Sequence, residues 1–128
     1  MGLDVFLEAD ERLSIAAVEK VLNEFGALDL ETDGEAIEGY FNSGLSVRAE
    51  RSINDKELHA EETQGLSFPV GTRCYFRIKG HEPDGMSSLN DLARLIQCIS
   101  TESDAYFLVS FQYETLMYWR DEAGLHVA

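Results

Sequence analysis

What the sequence holds little of narrows the field first. Cys74 and Cys98 are the only cysteines in 128 residues. They stand far apart and match no metal-ligand or redox spacing, so a chain with two reduced thiols in the cytoplasm is the default expectation. Prolines number two and hydrophobic residues make up 45%, a composition that argues against disorder. No apolar stretch approaches the roughly 20 residues of a membrane span. The opening MGLDVFLEADERL has no basic leader and no long apolar run, so no signal peptide is expected. Phe6 stands where a myristoylation motif needs Ser or Thr.

Basic residues are scarce. Ten Lys and Arg face 24 Asp and Glu, giving a formal net charge of -14. The imbalance is concentrated early, with 16 acids and 5 bases in residues 1–64 against 8 and 5 in residues 65–128. Such a surface repels phosphate backbones and anionic membranes, so neither nucleic acid nor membrane is expected as a partner. It suits a basic protein, whose encounter it would speed. Solubility alone is the competing explanation.

Catalytic signatures are also lacking. There is no HExxH, GxSxG, P-loop or GxGxxG. His59, His81 and His126 are not closely spaced, and no Ser-His-Asp set can be assigned. No catalytic residue, no metal and no cofactor is expected.

What is there reads as one domain over residues 1–128. LDVFLEA (3–9) is a strand. Ser14 is placed to cap a helix whose stripe is Ile15, Val18, Leu22 and Phe25, widened by Val21, with Gly26 at its C-terminal cap. LSVRAER (45–51) alternates with Leu45, Val47 and Ala49 on one face. TRCYFRIKG (72–80) puts Cys74, Phe76 and Ile78 one way and Arg73, Tyr75, Arg77 and Lys79 the other. Those cations read as a solvated face paired with neighbouring acids, or as a small ligand patch. Residues 81–86 read as a loop. Ser88 with Asp91 resembles a capping box ahead of a helical stripe of Leu89, Leu92, Ile96 and Ile99, with Leu95 and Ala93 beside it. AYFLVSFQ (105–112) and TLMYWRD (115–121) pair as a hairpin, with Trp119 expected in the core, and AGLHV closes the chain. Residues 52–70 are polar and weakly patterned. So long a stretch in a small domain is either a binding loop or an unrecognised element.

DLETDGEAIEGY (29–40) carries the densest charge. It begins like a calcium loop, but the twelfth position, which must supply a bidentate carboxylate, is Tyr40. A hairpin is the better reading, with 27–32 paired to 35–41 through an Asp33-Gly34 turn. Between residues 27 and 42 stand five acids, Asp29, Glu31, Asp33, Glu35 and Glu38, and no base. These five are the expected partner-binding residues.

The fold class that follows is α+β: an antiparallel sheet with two helices on one face, ferredoxin-like from two split βαβ units, with extra strands. A small acidic α+β chain without a catalytic set resembles the immunity proteins that bacteria make beside their secreted or contact-delivered toxins. The closing YFLVSFQYETLMYWRDEAGLHV is similar in style to the final hairpin of such proteins. This likeness is one of type, and it assigns no residue a role. It implies an immunity protein that binds a cognate toxin and occludes a basic active-site region with its acidic surface. Two other readings stay open: a ligand-binding regulatory module resembling the ACT type, in which two copies pair as a homodimer, and a small enzyme.

Overall fold

The computed structural model describes residues 2–79 and 82–128. His81, the first residue of the expected 81–86 loop, and Gly80, the last of the expected 72–80 strand, lie outside the described residues. The elements run β1 (Gly2–Ala9), α1 (Ile15–Glu24), β2 (Leu28–Thr32), β3 (Ala36–Tyr40), β4 (Leu45–Arg51), β5 (Thr72–Lys79), α2 (Ser88–Glu102), β6 (Phe107–Phe111), β7 (Thr115–Asp121) and β8 (Gly124–Val127). The strands form one sheet in the order β2-β3-β4-β5-β1-β6-β7-β8. Every neighbouring pair is antiparallel. The class is α+β, and the sheet is larger than the sequence reading described. Residues 124–127 add an outer strand that is too short to announce itself by periodicity.

The helices form where their caps and stripes place them. Ser14 Oγ accepts the Ala17 amide at 3.0 Å, satisfying one of the free N–H groups of the first turn. Gly26 follows α1 with φ +72°, a left-handed conformation that costs glycine nothing. The start of α2 differs from the Ser88–Asp91 expectation. Ser87 is the cap, its Oγ accepting the Asn90 amide at 3.2 Å. Ser88 is buried, and its hydroxyl donates to the Ser43 carbonyl at 2.7 Å. Asp91 instead accepts the Ser43 hydroxyl at 2.6 Å. Both side chains are spent on tying α2 to the β3–β4 turn. Leu89, expected on the stripe, is 53% exposed in the first turn. The packed stripe is Leu92, Leu95, Ile96 and Ile99.

Both helices lie on one face of the sheet. They pack on each other, α1 also on β3 and β4, and α2 also on β4, β5 and β8. They cover Val5, Leu7, Val47, Phe76, Phe107 and Val109. Each fully buried side chain of this kind contributes about 1.5–3 kcal/mol relative to exposure.

The opposite face is half covered. Residues 52–71 hold no helix or strand, yet they are not a free loop. Leu58, Ala60, Leu66 and Phe68 pack on Leu108, Leu116 and Trp119 as a second, smaller core. That is why all of residues 107–110 are buried: β6 is covered from both sides. The segment rejoins the sheet at Gly71, whose amide donates to the Ala9 carbonyl at 2.8 Å. A side chain there would meet the Glu11 Cα at 2.5 Å, so only glycine fits.

Candidate functional site

The half of this face left open is where the chain presents side chains to solvent. Alternation along the strands sends Asp4, Phe6 and Glu8 of β1, Arg73 and Tyr75 of β5, and Arg48 and Glu50 of β4 away from the helices. The register places Glu38, Arg48, Tyr75, Phe6 and Ser110 side by side across five strands.

The boundary between the covered and open halves is an ion pair. Arg73 Nη1 lies 2.8 Å from Glu8 Oε2. The same carboxylate accepts the His59 amide at 2.7 Å and the Ala60 amide at 3.0 Å. Arg73 also donates to Ser52 Oγ at 3.1 Å and to the carbonyls of Asp55 and Glu57. Glu8 is 1% exposed. A buried carboxylate is tolerated only when paired and hydrogen-bonded, and here its partners are what anchors residues 52–60.

On the open half, three hollows lie in a row across the strands. The outer one, about 270 Å³, is lined by Glu31, Asp33, Glu38 and Arg48 among others. The middle one, about 150 Å³, is lined by Glu38, Tyr40, Ser46, Arg48 and Tyr75. The inner one, about 270 Å³, is lined by Phe6, Arg48, Glu50, Arg73, Tyr75 and Tyr113. Glu38 and Arg48 line both the outer and the middle hollow, and Arg48 and Tyr75 both the middle and the inner one, so the three adjoin in a row, here called the groove, from the acidic hairpin to Tyr113.

The inner end is aromatic. Phe6 stacks on Tyr113 with centroids 4.1 Å apart and on Tyr75 at 5.2 Å, the planes within 11°. The Tyr75 hydroxyl donates to Asp4 at 2.6 Å, and that bond pushes the phenol pKa up. Burial, with the nearby Glu8 charge, does the same for Tyr113. Both phenols stay neutral. The Cys74 thiol is turned into the core, and burial pushes its pKa up to about 12, so it has no thiolate to offer.

The outer end is acidic. Of the five expected binding residues, Glu31, Asp33 and Glu38 line the outer hollow, while Asp29 and Glu35 do not. Asp29 sits at a bulge of β2 with φ 52°. The turn is residues 33–35, one longer than Asp33-Gly34. Asp33 Oδ1 accepts the amides of Glu35 and Ala36 at 2.8 and 2.9 Å. Those bonds hold its carboxyl below the usual range. Glu38 pairs with Arg48 at 3.2 Å, and Arg48 also reaches Glu50 at 3.4 Å. Among the described residues, Asp29, Glu31, Asp33 and Glu35 form no ion pair.

The expected list omitted Phe6, Tyr75, Tyr113 and Arg48. Phe6 was legible, since it alternates with the buried Val5 and Leu7. The Arg73 face fits the solvated, acid-paired expectation in part: Arg77 and Lys79 are exposed and Arg73 pairs with Glu8 of the neighbouring strand, but Arg73 is a clamp with its side chain only 17% exposed. Trp119 is partly buried on the second core and stacks on His126 at 4.9 Å.

A larger cavity, about 340 Å³, lies between the helix ends and the β3–β4 turn. Its charged groups are engaged: Asp91 holds Ser43, and Arg94 lies over the Phe25 ring at 5.0 Å. Among the described residues no three His, Cys, Asp or Glu side chains gather as a metal site. No helix there is long and apolar enough to cross a membrane. Comparison with protein-family models, with curated proteins and with solved structures found no match.

Proposed function

We propose that this chain is a binding protein of the immunity type, which docks the acidic end of its groove on the basic active-site region of a cognate toxin in the cytoplasm of the bacterium that makes it. The observation that carries the reading is the pairing of Glu31 with Glu38. They stand directly opposite each other on β2 and β3, and like charges in that relation destabilise a sheet. Solubilising charge has no need of such a placement. A docking surface does, because stability given up at a binding site is recovered as charge complementarity in the complex. The chain is read as a binder, and not as an enzyme.

The strand order supports a finer architectural proposal. β5 lies between β1 and β4, and β1 between β5 and β6, which is how two split βαβ units interleave in a ferredoxin-like core. β2–β3 and β7–β8 would then be hairpins added at either end.

The test is co-expression with the product of a toxin-like reading frame adjoining its gene. Protection of the cells, reduced by Glu31→Lys with Glu35→Lys, is expected. Full protection by the double variant would remove the hairpin from the mechanism. The inner hollow favours one other reading, a regulatory module for a small planar ligand. That reading requires a melting temperature raised by a metabolite and unresponsive to it in Phe6→Leu.

A further inference from the structure

We infer that the groove seats an arginine of the basic partner, its guanidinium lying on the outer face of Tyr75, and that in the free protein Arg48 engages the carboxylates of Glu38 and Glu50 that this partner cation would take. The inference rests on the basic-partner reading and names the chemistry of the contact.

Three observations carry it. Phe6 is the middle ring of the aromatic row, so its two faces are taken. His59 and Tyr113 meet edge to face, their ring centroids 5.6 Å apart. The remaining face, that of Tyr75 toward β4, adjoins both the middle and inner hollows. The charges form the second observation. Arg48 faces Glu38 and Glu50, and Arg73 faces Glu8 and Asp55. Asp4 and Arg77, opposite each other on β1 and β5 beside Tyr75, add one charge of each sign. Three cations among five anions leave the site short of positive charge. The third is Arg48 itself. It is half exposed, with single contacts of 3.2 and 3.4 Å to half-exposed acids, and pairs of that kind are weak enough to be exchanged. A planar guanidinium stacks on an aromatic face while donating to carboxylates at its edge, which an ammonium cannot match.

The experiment measures binding of capped tetra-arginine, tetra-lysine and tetra-glutamate peptides by calorimetry at low salt. Charge alone makes the first two equal. The inference expects tetra-arginine to bind roughly three- to tenfold tighter than tetra-lysine. That preference should vanish in Tyr75→Leu and persist in Tyr75→Phe, which keeps the ring. Arg48→Ala should tighten tetra-arginine binding by roughly two- to fivefold, as two acids are freed. Circular dichroism checks that each variant is folded. Equal binding of the two basic peptides, a preference surviving Tyr75→Leu, or weaker binding by Arg48→Ala overturns this inference and leaves the basic-partner reading standing. Failure of both basic peptides to bind, or tighter binding of tetra-glutamate, removes that reading as well.

Discussion

Glu31 of β2 faces Glu38 of β3 directly across the strand pair at one end of the sheet. Only Glu38 has a cation, Arg48, on its other side. Replacing Glu31 by Lys turns repulsion into attraction along the row. Stability in urea should rise by about 0.2–1 kcal/mol, the scale of a cross-strand pair. A loss of stability would mean that Glu31 makes a favourable contact of its own.

A second prediction concerns the Glu8–Arg73 clamp. Glu8→Leu leaves Arg73 Nη1 and the amides of His59 and Ala60 without their acceptor, while the other Arg73 contacts remain. Removing one partner of a buried pair costs about 3–5 kcal/mol. Hydrogen exchange should show residues 56–61 losing protection before the strands do. Unchanged protection there would show that the apolar contacts of Leu58, Leu66 and Phe68 alone hold the segment down.

Ser110 is the converse case. Its Oγ is buried with no hydrogen-bond partner, beside Phe6 in the register. A lone buried hydroxyl costs roughly 1–3 kcal/mol on mutational scales. Ser110→Ala should therefore raise the unfolding midpoint. A fall would reveal that the hydroxyl is satisfied in solution.

Asp10 sets part of the acid limit. Burial pushes its carboxyl up, but the Arg12 side chain and the amides of Arg12 and Tyr106 outweigh this and hold it below its usual 3.8. A depressed folded-state value means stability that is present above the unfolded pKa and lost as pH falls through the folded one. Protonating the many other acids relieves repulsion at the same time, so the difference between parent and Asp10→Asn isolates this group. The parent should be the more stable at pH 7, with the gap closing as pH falls below about 4. A gap independent of pH would contradict the assignment.

How much of this was legible in the sequence depends on whether the signal is local. Ser14, Gly26 and the Val18–Leu22 stripe fix α1 through contacts within a few residues, and the alternation of residues 45–51 and 72–79 fixes two faces of the sheet. The 33–35 turn announced itself through Asp33-Gly34. What stayed hidden is long-range. Glu8 is 51 residues from His59 and 65 from Arg73, so nothing in residues 52–71 shows that they cover β6 and β7. The choice between Ser87 and Ser88 as cap is settled by Ser43, from a distant turn. The groove is hidden for the same reason, because Phe6, Arg48, Tyr75 and Tyr113 come from four separate stretches of chain. Of its two ends, only the acidic one is contiguous in sequence.

The central claim is that the acidic hairpin docks on a basic partner. It is tested most directly by the association rate constant with the cognate toxin, measured across a range of salt for the parent and for Glu31→Lys with Glu35→Lys. Interface charge governs encounter more than lifetime. The double variant should associate more slowly, with a shallower salt dependence and a nearly unchanged dissociation rate, while being no less stable than the parent. Association at the parental rate with the parental salt dependence would contradict the account and leave the hairpin's charge to solubility alone.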